Sequence, residues 1–172
     1  MNIYKNLLLS ILLALYSSLA LTASGTLKPY SGKLDSPQFS LTDVQNKKHT
    51  LSDYQGNIVL VQFWATYCTP CRKEMPTMNN LIKKMDGKPF KIITVNMAED
   101  KETVDSFLQQ VPVDFPVLLD SDGSVLSQWK VFAAPANFIL DKKGKIIFTL
   151  YGGTDWDSDE MVEKLTALTT MN

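Results

Sequence analysis

Apolar runs along the chain mark the strands that we expect at the centre of the fold. Ile58 to Trp64 reads Ile-Val-Leu-Val-Gln-Phe-Trp, and Gln62 is its one polar residue. Phe90 to Met97 and the shorter Phe115 to Leu119 are also mostly apolar. Runs of this kind suit strands that are covered on both faces, as in a parallel or mixed sheet. We therefore predict two long buried strands and a short third one.

Apolar residues that recur every three or four positions predict four helices. The first follows the Ile58–Trp64 strand, the second begins near Asp100, and a short third spans Ser124 to Trp129. Asp157 and Glu160 have the spacing of a capping box that would begin the fourth helix. The positions that carry the pattern are Met75, Met78, Leu81, Ile82 and Met85 in the first helix, Val104, Phe107, Leu108 and Val111 in the second, and Met161, Val162, Leu165 and Leu168 in the fourth.

Two pairs of short apolar segments are joined by turn residues and predict β-hairpins. Phe39 to Leu41 and His49 to Leu51 flank the polar turn Asp43 to Lys48. Asn137 to Leu140 and Lys145 to Leu150 flank Asp-Lys-Lys-Gly, whose glycine suits a positive φ in a tight turn. After the N-terminal hairpin the order is βαβαβαββα. This order predicts an α/β fold with a mixed central sheet flanked by helices.

The first two dozen residues resemble a targeting signal rather than part of the fold. Lys5 supplies one positive charge, and Leu7 to Leu21 is almost unbroken apolar sequence followed by small residues. These features are typical of a secretory signal peptide. We predict a signal peptide over residues 1–23, cleaved after Ala20 or Ala23. The alternative is an uncleaved N-terminal membrane anchor, near the lower length limit for spanning a bilayer.

Either alternative places the rest of the chain outside the cytoplasm, so we expect a periplasmic protein that is free or anchored to the inner membrane. Residues 24–37 form a leader, and residues 38–172 form one domain that is long enough for a core. With 17 basic and 18 acidic side chains, the net charge is −1. That balance recruits neither nucleic acid nor an anionic membrane, so membrane contact is expected only through an uncleaved N-terminal segment.

The two cysteines of the chain, Cys68 and Cys71, lie where a buried strand ends and a helix begins. A structural disulfide is common in secreted proteins, but one that closes so short a ring removes little unfolded-chain entropy. A zinc site needs about four ligands, and the single histidine, His49, lies well upstream, so we expect no metal. Redox exchange fits best, because the first turn of a helix favours a thiolate at Cys68 and Cys71 is close enough to resolve a mixed disulfide.

The surrounding residues resemble a known family. Phe-Trp-Ala-Thr-Tyr-Cys-Thr-Pro-Cys at Phe63 to Cys71 resembles the active-site signature of the thioredoxin superfamily. The continuation Cys-Arg-Lys-Glu-Met-Pro, which ends at Pro76, resembles the TlpA/ResA-like branch of extracytoplasmic thiol–disulfide oxidoreductases. The likeness runs from about Phe39 to the C-terminus. It implies a thioredoxin fold with an N-terminal hairpin and with the helix and strand that this branch inserts between Asp100 and Leu119.

The resemblance implies a role for each residue of the motif. Cys68 would be the attacking cysteine and Cys71 the resolving one, and the two would form the redox-active disulfide. Thr69 and Pro70 would tune the reduction potential and contact the substrate, and a proline is well tolerated in the first turn of a helix. Pro76 matches the proline that kinks the active-site helix in this superfamily.

A substrate-binding surface is also implied beside the cysteines. Pro135 matches the cis-proline that opens a neighbouring strand, and the outward backbone of Ala134 would pair with an extended substrate segment. Tyr67 stands where tryptophan is usual and would supply an aromatic wall. Trp64 is included among the substrate-binding residues, although packing beneath the site is the role that we favour for it.

Glu74 lies three residues after Cys71, on the same face of the predicted helix. The resemblance implies that its carboxyl takes the Cys71 proton when the mixed disulfide is resolved. The alternative is a solvated charge in the run Arg-Lys-Glu.

Gln62 stands where cytoplasmic thioredoxins carry a buried aspartate, so no acid–base work is expected from that strand. A glutamine buried there needs hydrogen-bond partners.

We therefore expect an enzyme that reduces disulfides in partner proteins and receives electrons from a membrane thiol reductant, without a metal or organic cofactor. The direction follows from the branch, because the sequence fits an oxidant nearly as well. Cytochrome c maturation is one role of such proteins, and nothing in the sequence selects it. Two rival classes are a redox-inert module that holds a partner in the groove at Pro135 and a metal carrier.

Overall fold

The computed structural model describes residues 25–32 and 35–171. The predicted signal peptide or anchor, residues 1–23, lies outside the described residues. Within the described ranges, no helix combines the length and apolar character needed to span a bilayer. The fold below is therefore that of the leader and the domain that follows it.

One eight-stranded sheet forms the centre of the molecule. Its strands are β1 Lys28–Pro29, β2 Ser40–Asp43, β3 Lys48–Thr50, β4 Ile58–Trp64, β5 Phe90–Met97, β6 Val117–Asp120, β7 Ala136–Leu140 and β8 Ile146–Tyr151. They are arranged in the order β1-β8-β7-β4-β5-β6-β2-β3. The β4–β5 and β5–β6 pairs are parallel and the other neighbours are antiparallel. The predicted mixed sheet and both hairpins are confirmed.

In the part of the chain that the structure describes, four α-helices connect and cover the strands in the predicted order: α1 Thr69–Lys84, α2 Lys101–Gln110, α3 Ser124–Gln128 and α4 Asp159–Thr170. Pro76 lies inside α1, as expected. The capping box predicted between Asp157 and Glu160 is wrong, because Ser158 is the N-cap of α4 and makes no side-chain cap. The Asp157 carboxylate instead accepts a hydrogen bond from Asn80 Nδ2 at 2.7 Å.

Strand β4 lies at the centre of the core and is buried at all seven positions. On one of its faces, Leu60 and Trp64 belong to a cluster with apolar residues of α1, α2 and α4. On the other face, Val61 and Phe63 belong to a cluster that includes Trp129, the C-cap residue of α3. Because side chains alternate along a strand, Gln62 points to the same face as Leu60 and Trp64. A polar side chain therefore lies beneath α1 within an apolar layer.

The leader contributes to the sheet, which the sequence analysis did not predict. Lys28–Pro29 pairs with β8 as an edge strand, and Asp35 forms an isolated bridge with Lys145. At the start of the described chain, the Gly25 N–H donates to the Gly153 carbonyl at 2.9 Å. The loop after β8 is thus held on one side by residues that precede the domain.

His49 holds the N-terminal hairpin together. Its Nε2 lies 2.8 Å from Asp43 Oδ2, and its Nδ1 lies 2.6 Å from Tyr54 Oη. Burial acts to raise the pKa of Asp43, but hydrogen bonds from His49 and from the backbone N–H groups of Lys47 and Gln45 hold it below its usual value. In residues 25–32 and 35–171, no group of three or more His, Cys, Asp or Glu side chains is placed to hold a metal ion. The hydrogen-bonding contacts with Asp43 and Tyr54 give His49 a structural role in and beside the hairpin.

Candidate active site

The two cysteines form a disulfide at the start of α1. Cys68 is the N-cap residue, and its Sγ accepts the Cys71 N–H at a distance of 3.3 Å. Cys68 retains 7% exposure, whereas Cys71 is completely buried. Thr69 and Pro70, which begin the helix, are both exposed. Cys68 is therefore the less deeply buried of the two cysteines, which suits an attacking thiol at Cys68 and a resolving thiol at Cys71.

A carboxylate from the loop after β5 holds the segment that leads to Cys68. Glu99 Oε2 accepts hydrogen bonds from the Thr66 N–H at 2.8 Å and from Asn96 Nδ2 at 2.7 Å. Glu99 Oε1 accepts the Thr66 hydroxyl at 2.5 Å. Glu99 and Asn96 were not predicted as site residues, because no local pattern relates them to the motif; Glu99 lies 33 positions after Thr66.

Two exposed aromatic side chains lie in the segments that carry the predicted substrate contacts. Tyr67, next to Cys68, is 76% exposed, and Phe132 is 91% exposed. Phe132 comes two residues before Ala134, whose bond to Pro135 is cis. Ala134 is half-buried, and the Pro135 carbonyl accepts the Gly152 N–H at 3.1 Å. Phe132 was missed by the sequence analysis, although an isolated phenylalanine between loop residues was a signal for it.

Trp64 is different from these aromatic residues because it has no exposed surface. Its ring packs against Phe107 of α2, with the ring centroids 5.0 Å apart. This burial corrects the inclusion of Trp64 among the substrate-binding residues and agrees with the packing role that we favoured from the sequence. The side chain supports the floor of the site instead.

Glu74 is 1% exposed and both of its carboxyl oxygens accept hydrogen bonds. Oε1 accepts the Thr154 N–H and the Trp156 Nε1–H, each at 3.0 Å. Oε2 accepts Nε2 of Gln62, also at 3.0 Å. A solvated surface charge, the alternative for Glu74, does not fit this burial. The NH₂ group of the buried Gln62 thus has hydrogen-bond partners, as expected, whereas its Oε1 has none among the described residues.

Burial raises the pKa of Glu74 to about 8, and the hydrogen bonds from Thr154, Trp156 and Gln62 oppose that rise. A carboxyl of this kind exchanges its proton near neutral pH, which is a property of general acids and bases. The contact of Trp156 with Glu74 makes this fully buried side chain part of the site. The arrangement places a slightly exposed cysteine, a fully buried cysteine and a carboxyl with a raised pKa at the start of one helix.

Comparison with known proteins agrees with this geometry. The sequence model of the AhpC/TSA family matches residues 34–149. The thiol-disulfide oxidoreductase ResA of Bacillus thuringiensis subsp. konkukian is 37% identical over 133 residues, which cover 77% of each chain. ResA of Bacillus subtilis is 38% identical over 118 residues, which cover 69% of this chain and 66% of that protein.

A solved structure extends the comparison to the fold. The crystal structure of a putative thiol:disulfide interchange protein DsbE from Chlorobium tepidum superposes with a TM-score of 0.74 and 29% identity, covering 84% of this chain and 99% of that one. The expected thioredoxin fold is confirmed. The chain belongs to the AhpC/TSA family and is a thiol–disulfide oxidoreductase of the ResA type.

Proposed function

We propose that this protein is an extracytoplasmic reductant of disulfides in partner proteins, and that a membrane thiol reductant restores its dithiol form. The observation that carries the proposal is the buried carboxyl of Glu74 one helical turn beyond the covered sulfur of Cys71. The location is supported by the apolar segment Leu7 to Leu21, which is typical of secreted or anchored chains.

The first step is attack by the Cys68 thiolate on one sulfur of a substrate disulfide. A bond forms between Cys68 and that sulfur, the substrate's own S–S bond breaks, and one substrate thiolate leaves. The position of Cys68 as N-cap of α1 supports this role, because the N–H groups and dipole of the first turn stabilise a thiolate. The Cys71 N–H, which already points to Cys68 Sγ, is one of these groups.

The second step resolves the mixed disulfide. Cys71 gives its proton to Glu74, and the resulting thiolate attacks Sγ of Cys68. The Cys68–Cys71 disulfide forms, the mixed disulfide breaks, and the second substrate thiolate leaves. Two electrons pass to the substrate, whose two sulfurs take up protons from Glu74 and solvent. With its pKa raised to about 8, Glu74 is able to accept a proton and to release it in each cycle.

The substrate would lie as an extended segment along Ala134 and Pro135, above Thr69 and Pro70. Its backbone would pair with Ala134, and apolar side chains beside its cysteine would contact the exposed ring of Tyr67. Cytochrome c maturation is one setting for such a substrate. Reduction of a disulfide-bonded apocytochrome c by the purified protein would support that setting.

The direction of electron flow is tested by the reduction potential of the Cys68–Cys71 couple, measured by equilibration with glutathione. We expect a value below about −200 mV, in the range of reducing members of the superfamily. A value near −120 mV, which is typical of a strong oxidant, would reverse the proposed direction.

The role of Glu74 is tested by the rate at which a preformed mixed disulfide on Cys68 is resolved between pH 5 and 10. We expect the wild-type rate to rise with a midpoint near 8. Glu74→Gln should abolish this midpoint and slow resolution at pH 8 by about 100-fold. The control is Glu102→Gln, which changes an exposed carboxyl in the first turn of α2. An unchanged profile for Glu74→Gln would remove Glu74 from the mechanism.

A further inference from the structure

Two fully buried amide side chains lie beneath α1, and the mechanism above does not use them. Gln62 on β4 and Asn137 on β7 are opposite each other in the sheet register, and both have 0% exposure. Gln62 Nε2 donates to Asn137 Oδ1 at 3.0 Å and to Glu74 Oε2 at 3.0 Å. Asn137 Nδ2 in turn donates to the Leu150 carbonyl at 3.2 Å. A chain of hydrogen bonds therefore connects the backbone of β8 to the carboxyl of Glu74.

The Leu150 carbonyl of β8 determines which way each amide group points in this series of hydrogen bonds. The Leu150 carbonyl can only accept, so Asn137 turns its NH₂ group to β8 and its oxygen to Gln62. Gln62 then turns its own NH₂ group to Asn137, and the second N–H of that group meets Glu74. Gln62 Oε1 has no hydrogen-bond partner among the described residues. Gln62 thus presents a donor to Glu74 and leaves its acceptor unused.

The unpaired oxygen of Gln62 lowers the stability of the folded protein, so the glutamine is a costly residue at this position. Leaving a buried polar atom without a partner costs about 1–3 kcal/mol. An apolar side chain of similar size in the surrounding apolar layer would avoid this cost. Since Gln62 is the one polar residue of β4, its hydrogen bonds to Glu74 and Asn137 are what an apolar residue could not supply, and the bond to Glu74 reaches the site.

The two oxygens of Glu74 are not equivalent. Oε1 accepts two hydrogen bonds, from Thr154 and Trp156, whereas Oε2 accepts one, from Gln62, among the described residues. A carboxylate oxygen has about two acceptor positions. Oε2 therefore has room for a proton, and Gln62 contacts this oxygen. The amide donor also stabilises the ionised carboxyl without placing a second charge in the core.

We propose that Gln62, oriented by Asn137, is a positioning residue that holds Glu74 Oε2 ready to take the proton of Cys71. The inference rests on the proposed function, in which Glu74 acts as the base of the resolving step. Gln62 itself neither gains nor loses a proton. Its effect is to keep one oxygen of Glu74 in place and to favour the ionised form of that carboxyl.

The test measures the pH dependence of mixed-disulfide resolution in Gln62→Leu and Asn137→Leu. Loss of the donor in Gln62→Leu disfavours ionised Glu74, so the midpoint should move up by about one pH unit, with resolution about tenfold slower at pH 7. Asn137→Leu should move the midpoint in the same direction by a smaller amount, because Gln62 keeps its donor but loses the acceptor that orients it. At pH 10, where Glu74 is largely ionised, the rate should stay below that of the wild type in both variants, because Oε2 is no longer held in place.

Thr94→Val supplies the matched control. Thr94 lies beside Gln62 in the register of β5, is fully buried, and donates its hydroxyl to the Pro116 carbonyl at 3.1 Å. Its replacement removes a partly buried hydrogen bond next to Gln62 without touching Glu74. We expect Thr94→Val to lower the urea concentration at which the protein unfolds and to leave the pH midpoint unchanged.

Several outcomes would overturn the proposal. An unchanged midpoint in Gln62→Leu would do so, as would an equal shift in Thr94→Val, which would indicate general loosening of the core. If Gln62→Leu does not fold, the midpoint in Asn137→Leu decides. If Glu74→Gln abolishes the midpoint while the amide variants leave it in place, the positioning role fails and the proposed function stands. If Glu74→Gln has no effect on the midpoint or the rate, the proposed function fails and the positioning role fails with it.

Discussion

Replacing Glu74 with glutamine should make the stability of the folded protein less sensitive to alkaline pH. Burial raises the pKa of this carboxyl from 4.5 to about 8. The unfolded chain releases the Glu74 proton around pH 4.5, whereas the folded protein retains it until about pH 8. The contribution of Glu74 to the free energy of unfolding is therefore full below pH 4.5 and is lost progressively as the pH rises to 8. Glu74→Gln has no proton to lose at this position.

The size of the effect follows from the width of this pH window. Each pH unit within it changes the free energy of unfolding by about 1.4 kcal/mol. Between pH 5 and pH 9, the wild type should lose about 4 kcal/mol more than Glu74→Gln. In the variant, the NH₂ group of the new glutamine faces the Gln62 N–H that the carboxylate accepted. The two donors oppose each other, which destabilises the variant. That cost does not depend on pH, so it cancels when the two pH values are compared.

The assay is urea unfolding followed by tryptophan fluorescence at pH 5 and pH 9. The Cys68–Cys71 disulfide is kept intact so that neither thiol titrates in the unfolded chain. Glu102→Gln, at an exposed position, should follow the wild type at both pH values. If the difference between wild type and Glu74→Gln changes by less than about 1 kcal/mol between these pH values, Glu74 titrates as an ordinary carboxyl and the reasoning is refuted.

Three further perturbations address other contacts. Trp156→Phe removes a donor to Glu74 Oε1, so the pH midpoint of mixed-disulfide resolution should rise by about one unit in the same kinetic assay. Asp43→Ala leaves the buried His49 without its carboxylate, which should lower the free energy of unfolding by about 3 kcal/mol in urea and leave the reduction potential unchanged. Cys71→Ser should accumulate a mixed disulfide with substrate on non-reducing gels, whereas Cys68→Ser should not.

The central strands were predictable from the sequence because burial on both faces leaves a continuous apolar run. The predicted bounds of Ile58–Trp64 and Phe90–Met97 are those of β4 and β5. The two-residue strand Lys28–Pro29 left no such signal, since both side chains are exposed and its pairing comes from the edge of β8. The start of α4 was misplaced because Asp157 has the spacing of a cap but bonds to Asn80 in α1.

The candidate site divides in the same way between local and distant contacts. Cys68, Cys71 and Glu74 fall within one helical motif, so their spacing identifies them. The environment of Glu74 comes from elsewhere: its partner Trp156 is 82 positions away, and Gln62 reaches Asn137 across 75 positions. These contacts decide that Glu74 is a buried group with a raised pKa rather than a surface charge. A single sequence does not contain this information.

The central claim is that the start of α1 makes Cys68 a reactive thiolate. The direct test is the rate at which the fully reduced protein reacts with an alkylating agent between pH 4 and 10, with Cys71→Ser used to assign the signal to Cys68. The account predicts that this rate rises with a midpoint clearly below 8.5, the value of a free cysteine thiol. A midpoint at or above 8.5, together with no reaction of Cys68 towards disulfides, would contradict it.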